Sequence, residues 1–175
     1  MGRVIIFPTD TVYGIGTPIF DIDGINKIYK IKHRDSSKPL ACLCANLEQI
    51  KEIAHVTELA QKLIDTYLPG ALTIILNCKE EVTNKIGYKT IGVRIPNNKL
   101  TIDILLENGP MLTTSVNESG NVPLNEYEEI VKQYGNLVDY IYKTNTISSN
   151  ISSTVVSCID DKLTVLRAGE IKIDV

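Results

Sequence analysis

The chain has 175 residues, which at roughly 150 residues per domain is one domain, residues 1–175. Apolar residues make up 43% and charged residues 22%, enough for one substantial core, and 18 Lys and Arg against 21 Asp and Glu leave a net charge of −3, which argues against a protein whose business is coating nucleic acid. The longest apolar runs fall far short of the roughly 20 residues of a membrane helix, the N-terminal run is too short for a secretory signal, and four cysteines make no disulfide framework, so a reducing cytoplasm and no membrane are expected.

In chain order, Val4 to Phe7 is a short β-branched and aromatic run stopped by Pro8, and it predicts a buried strand. Ile22, Ile25, Ile28 and Tyr29 recur at helical spacing, with Asp21 or Asp23 as the cap. Leu40 to Ala45 predicts a strand; Leu47, Ile50, Ile53 and Ala54 continue at helical spacing; a helix over about Thr57 to Tyr67 ends before Pro69-Gly70. Leu72–Leu76, Ile91–Ile95 and Met111–Val116 read as strands. Ile102, Leu105 and Leu106 mark a helix stopped near Gly109-Pro110, and Tyr127–Tyr134 is another. Val138–Tyr142, Thr154–Cys158 and Leu163–Leu166 complete the strands, with a Ser/Thr/Asn-rich loop over Thr144 to Thr154 between the first two. Seven or so strands and four or five helices predict an α/β (α+β) fold with a twisted, mixed β-sheet and flanking helices.

Three polar clusters stand out. Pro8-Thr9-Asp10-Thr11-Val12-Tyr13-Gly14-Ile15-Gly16 follows a strand directly, where such sheets place ligands. Its hydroxyls, carboxylate and glycines suit a small polar ligand, or else a tight turn with local side-chain bonds. Lys30, Lys32 and Arg34, with Lys38 beyond, form a cationic fork if the chain there is extended; at a helix C-terminus the first two would instead complement the dipole. Thr113-Thr114-Ser115-Val116-Asn117-Glu118-Ser119-Gly120 offers neutral donors and acceptors, or a plain strand end and turn. Arg94 sits at a strand end before Pro96, Ser153-Thr154 opens a strand, and Arg167 precedes Ala168-Gly169. Cys42 and Cys44 alternate along a strand and read as core thiols, with no second pair at zinc spacing, so no protein-held metal is expected. With two histidines and few general acids or bases, any enzyme here would work by positioning and charge stabilisation.

The ordered set of these motifs, together with Leu68-Pro69-Gly70-Ala71-Leu72-Thr73, Gly92-Val93-Arg94-Ile95-Pro96, Ser153-Thr154-Val155-Val156 and Leu166-Arg167-Ala168-Gly169, resembles the YrdC-like family of threonylcarbamoyl-AMP synthases across nearly the whole chain. The resemblance implies a twisted sheet with a large basic concave cavity. It also implies an L-threonylcarbamoyladenylate synthase, a nucleotidyltransferase that joins L-threonine, bicarbonate or CO2 and ATP, with Mg2+ on the triphosphate. The product would pass to a tRNA threonylcarbamoyl transferase complex; direct tRNA contact is a weaker expectation. The family's catalytic tetrad falls on Lys32, Arg34, Ser115 and Asn117. By similarity, Arg34, Lys38, Thr90, Ser115 and Arg167 contact ATP, and Thr11, Arg94, Thr113 and Ser153 hold threonine. The chain departs from the family pattern in Val116 for Ala, Ala168 for Pro, Leu43 where some members have His, and few residues before Pro8. A short, single-domain form without the longer members' C-terminal domain is expected. Two other readings are an RNA-binding module of the same fold without adenylating activity and a hydrogenase-maturation carbamoyltransferase; the latter chains are longer and carry zinc-finger cysteine pairs.

Overall fold

A computed structural model describes residues 2–144 and 148–174; residues 145–147 of the predicted Ser/Thr/Asn-rich loop lie outside the described residues. Among the described residues nine strands form one mixed sheet: β1 (Ile5–Phe7), β2 (Gly14–Pro18), β3 (Ala41–Leu43), β4 (Leu72–Asn77), β5 (Thr90–Arg94), β6 (Met111–Ser115), β7 (Tyr140–Ile141), β8 (Thr154–Ser157) and β9 (Thr164–Arg167). Their order is β7-β1-β2-β6-β3-β5-β4-β8-β9. The β1–β7, β3–β5 and β4–β8 pairs are parallel and the rest antiparallel. Six α-helices accompany them among the described residues: α1 (Ile22–Lys32), α2 (Leu47–Ile53), α3 (Glu58–Tyr67), α4 (Glu80–Ile86), α5 (Lys99–Asn108) and α6 (Tyr127–Tyr134).

Local chemistry sets most boundaries. Asp21 caps α1 through the Gly24 amide, Asn46 caps α2, Thr57 caps α3 and Asn98 caps α5, each carrying a side-chain oxygen to an amide three residues on. Helix α1 ends at His33, whose positive φ of 51° forms a left-handed cap.

The alternation of side chains along the strands divides the core in two. On one face Val4, Ile6, Ile15, Cys42, Cys44, Ile74, Leu76, Val93, Leu112 and Val156 pack against Ile28 of α1, Ile50 and Ile53 of α2, Ile64 of α3 and Ile130 of α6. On the other face a smaller cluster joins Ile5, Phe7, Leu43, Ala45 and Met111 to Ile104 and Leu105 of α5. Helix α5 covers only one end of that second face.

Three expectations need correction. The Pro8–Gly16 segment is not all loop: Gly14 begins β2, and Gly16 pairs across to Thr113. A Cβ at Gly14 would lie 2.6 Å from Thr113 Cγ2, and one at Gly16 would lie 2.8 Å from Thr113 Oγ1, so these glycines let β2 pack flush against its neighbour rather than turn. The extended cationic fork does not form, because Lys30 and Lys32 lie in the last turn of α1. At about 100° per residue they diverge, leaving Lys30 exposed and Lys32 buried. Helix α4 is additional: it lacks a side-chain cap and buries only Val82, so it has little periodic signal.

Candidate active site

A cavity of about 370 Å³ occupies the part of the second face that α5 leaves open. Its floor follows the period of two: Ala41 and Leu43, Thr73 and Ile75, Thr90, Gly92 and Arg94, Thr113 and Ser115, Ser153 and Val155 all face it. Gly14 of β2 and Gly92 of β5 lower that floor to the backbone. At Gly92 a Cβ would stand 2.9 Å from Thr73 Cγ2.

The residues lining the cavity include Arg34, Arg94 and Arg167, and among those described there is no carboxylate. Burial and the Arg94 charge lower Arg167 from its ordinary value, a sign that two guanidinium groups converge there. Cations facing each other across a half-enclosed space make an anion site.

Each wall is built by local bonding. In the Pro8–Tyr13 loop, Thr9 Oγ1 donates to Val12 O at 2.6 Å and accepts from the Thr11 amide at 3.1 Å. The Thr9 proton is thereby used, so in the 3.1 Å contact between the two hydroxyls Thr11 is the donor. Thr11 Oγ1 accepts from Arg94 Nη2 at 3.2 Å, and toward the cavity it offers a lone pair rather than a proton. Arg94, 6% exposed, also donates from Nη1 to Asp10 Oδ1 at 2.6 Å. Asn125 ties this loop in place by accepting from the Tyr13 amide at 2.9 Å and donating to Ser148 Oγ at 2.9 Å.

Opposite, Arg167 Nη2 donates to Ser153 O at 2.8 Å, and Ser153 Oγ lies 2.8 Å from Thr73 Oγ1. At the third wall the Arg34 guanidinium closes its own loop, donating from Nη2 to Pro39 O at 3.1 Å and from Nε to Lys38 O at 3.3 Å. Tyr29 donates to the same Lys38 carbonyl at 2.6 Å, and Tyr88 accepts from the Leu40 amide at 2.9 Å.

Behind Ser115 lies a buried network. Lys32, 1% exposed, reaches from α1 and donates to Asn117 Oδ1 at 2.8 Å and to the Ser115 carbonyl. Ser115 Oγ donates to the same Asn117 oxygen at 2.7 Å, and Asn117 Nδ2 donates to Asn121 O at 2.6 Å. The Ser115 hydroxyl, like that of Thr11, therefore presents lone pairs to the cavity. Burial, with help from the Arg34 charge, pushes the Lys32 ammonium down to about 8.

Of the residues singled out in the sequence, the structure brings Thr11, Arg34, Thr90, Arg94, Thr113, Ser115, Ser153 and Arg167 onto the cavity walls. Lys32 and Asn117 stand one layer behind, holding Ser115. Lys38 is exposed on the rim loop, where its carbonyl accepts from Tyr29 and Arg34 and its amide donates to Asp35 O. Val116 points into the main core, away from the cavity. Leu43 lines the cavity. Sequence reasoning missed Thr73 and gave Asp10 no partner; Thr73 lies in the quoted Leu-Pro-Gly-Ala-Leu-Thr run, whereas the Asp10–Arg94 pair spans 84 positions with no local signal.

All four cysteines are buried and free, Cys42 and Cys44 in the main core as the alternation predicts. Among the described residues no group of three or more His, Cys, Asp or Glu side chains could hold a metal ion, and no helix is long and apolar enough to cross a membrane.

The family model Sua5_yciO_yrdC, described as "Telomere recombination", matches residues 1–169. The putative threonylcarbamoyl-AMP synthase of Methanocaldococcus jannaschii is 35% identical over 172 residues, covering 98% of this chain and 82% of that protein. The threonylcarbamoyl-AMP synthase of Bacillus subtilis is 33% identical over 174 residues, covering 97% of this chain and 50% of its own length. Among solved structures, Pyrococcus abyssi Sua5 complexed with L-threonine superposes with a TM-score of 0.88 at 27% identity, over 95% of this chain and 50% of that one. Escherichia coli YciO gives a TM-score of 0.86 at 30% identity, over 96% of this chain and 84% of that one. The chain thus spans most of some relatives and about half of others. With a single sheet whose open face carries the same ordered motifs, and with matches along almost its entire length, this chain belongs to the Sua5/YciO/YrdC family.

Proposed function

We propose that this chain is a threonylcarbamoyl-AMP synthase, a nucleotidyltransferase that condenses L-threonine, bicarbonate as CO2 and ATP into threonylcarbamoyl-AMP and pyrophosphate. The observation that carries the reading is the cavity: three arginines around a floor of hydroxyls, with no carboxylate among its described lining residues. Such a site seats two anionic substrates side by side and suits a reaction driven by positioning and charge stabilisation. The synthase names of the relatives and the threonine bound by the P. abyssi protein support it.

The residues divide by what they can offer. Arg94 has the fork geometry to meet the threonine carboxylate, beside Thr113 and Ser153. Thr11, presenting a lone pair, suits the threonine amine. Arg34, Lys38, Thr90 and Arg167 would hold ATP, with Ser115 offering its lone pair to a nucleotide donor. Lys32 and Asn117 act one layer back, fixing Ser115 and the turn after β6.

In the first step the amine forms a bond to the carbon of CO2 and releases a proton, giving an N-carboxylate. One oxygen of that carboxylate then attacks the α-phosphorus of ATP. The bond from that phosphorus to the bridging oxygen breaks, and pyrophosphate leaves with the electron pair. Arg34 and Arg167 stabilise the negative charge that spreads onto the phosphates.

The donor set fits a magnesium ion brought in by ATP and held by phosphate oxygens and water, since the described cavity walls hold no acidic ligand. Bound there, the ion would supply charge neutralisation on the triphosphate. The mixed anhydride product is reactive, and we expect a tRNA threonylcarbamoyl transferase to consume it, giving N6-threonylcarbamoyladenosine. Four free, buried thiols fit a reducing compartment, and we place the protein in the cytoplasm.

The test is to incubate the protein with ATP, magnesium, bicarbonate and L-threonine and follow pyrophosphate. Release that requires threonine is expected. Folded protein that releases none, or that binds RNA in a salt-dependent way with no turnover, would overturn the reading in favour of an RNA-binding module.

A further inference from the structure

Among the described residues the Asp10 carboxylate is the one acidic group that grips a cavity arginine, and it does so from outside. Its Oδ1 accepts from Arg94 Nη1 at 2.6 Å, with the two side chains 16% and 7% exposed. Asp10 is not on the cavity wall; it borders a separate depression with Asn97, Lys99 and Glu170. Arg94 therefore spans two environments. Nη1 is held outside by Asp10, with Gly70 O as a further acceptor at 3.4 Å, while Nη2 meets Thr11 at the cavity.

Asp10 is itself immobilised. Its carbonyl accepts from the Ser149 amide at 3.1 Å, and the next carbonyl, of Thr11, accepts from the Asn150 amide at 3.0 Å. The segment before β8 is thus strapped across the loop that carries both residues. Arg94 also shares the cavity with Arg167, whose positive charge would push it away. A buried guanidinium beside a like charge needs an anion to hold it.

We propose that Asp10 is a positioning residue for the amino acid substrate. It fixes the rotamer of Arg94 and screens it from Arg167, so that one edge of the fork stays aimed at the threonine carboxylate. The inference rests on the function proposed above. Asp10 touches no substrate; it acts through Arg94, so its loss falls on threonine and spares ATP.

The test compares Asp10→Asn and Asp10→Glu with wild type, measuring KM for threonine and for ATP separately, and threonine binding by calorimetry. Asn keeps an acceptor and removes the charge; Glu keeps the charge and displaces it by a methylene. The expectation is a rise in threonine KM and Kd on the order of 10²-fold for Asp10→Asn, the scale of an ångström of misplacement. ATP KM should stay within about twofold, and Asp10→Glu should recover part of the loss. In an Arg94→Lys background, Asp10→Asn should add little.

Threonine and ATP KM rising together, with no recovery in Asp10→Glu, would mark a merely structural role and overturn the proposal. So would a wild-type threonine KM in folded Asp10→Asn. Should Asp10→Asn fail to fold, Asp10→Glu decides: a threonine KM raised while the ATP KM stays put supports the role, and the two rising together refutes it. A wild-type protein that neither binds threonine nor releases pyrophosphate overturns the function itself, a separate outcome from active wild type with an indifferent Asp10.

Discussion

Lys32→Met should disable the enzyme while barely changing its stability. The ammonium is 1% exposed, and burial holds it at about 8 instead of 10.5, which corresponds to about 3 kcal/mol of unfavourable charge burial that Met would relieve. Against this, Met takes the ammonium away from the Ser115 carbonyl and removes one of the two donors to Asn117 Oδ1, which keeps the Ser115 hydroxyl. A buried acceptor deprived of a partner costs about 1–3 kcal/mol and a lost hydrogen bond to a charged group about 1.5–3, so the two cost about 2–6. The net is a loss of about 1 kcal/mol, or roughly 2–4 °C in Tm for a chain of this size. Turnover depends on a different quantity, the placement of the Ser115 hydroxyl and the turn after β6, and should fall by about 10²-fold or more. Thermal unfolding by circular dichroism and threonine-dependent pyrophosphate release read the two separately. A variant that keeps near-wild-type turnover, or one destabilised by more than about 5 kcal/mol, would refute the reasoning, the first by showing the network idle and the second by showing it structural.

The same lysine gives a pH signature. Its folded value of about 8 lies below its unfolded 10.5, so the unfolded chain holds the proton more tightly between the two; the penalty is full below about pH 8 and fades as pH rises to about 10.5. Denaturant unfolding should therefore show wild type gaining about 3 kcal/mol on Lys32→Met over that window. Asn117→Ala removes an acceptor shared by Lys32 and Ser115 and the donor to Asn121. It should cost about 1–3 kcal/mol in the same unfolding assay, together with a loss of turnover by orders of magnitude. Gly16→Ala puts a methyl 2.8 Å from Thr113 Oγ1 and 3.2 Å from Leu112 O, and should lower stability by about 1–3 kcal/mol, visible as a lower Tm. The four cysteines are buried, with Cys78 and Cys158 pushed up to about 11 and Cys42 raised by burial beside Cys44, so an aromatic disulfide reagent should modify none of them in the native protein at pH 8 and all four in denaturant.

What the sequence discloses about this fold follows how local each signal is. Helices α3 and α6 are legible from local spacing, and the start of α1 from two adjacent capping candidates, Asp21 and Asp23, of which Asp21 caps. The core assignment of Cys42 and Cys44 is legible for the same reason, from alternation alone. Strand β2 is not: Gly14 and Gly16 look like turn residues, and only the Thr113 side chain on the neighbouring strand explains them. The cationic cluster misleads because an extended chain and a helix end place Lys30 and Lys32 differently, and the decision rests on where α1 stops, at the left-handed His33. For the site, motif order names the wall residues from Thr11 to Arg167, but it is silent on depth. That Lys32 lies behind Ser115, and that Asp10 grips Arg94 from outside, are facts of contacts 83 and 84 positions apart.

In the reaction proposed here, the cavity joins threonine to AMP through a carbon taken from bicarbonate. The most direct measurement is mass spectrometry of the product formed from ATP, magnesium, L-threonine and 13C-bicarbonate. The expected product is an adduct of AMP and threonine joined by one carbonyl, heavier by one mass unit than the product made with unlabelled bicarbonate. An AMP–threonine adduct without the labelled carbon, or ADP as the only nucleotide product, would contradict it.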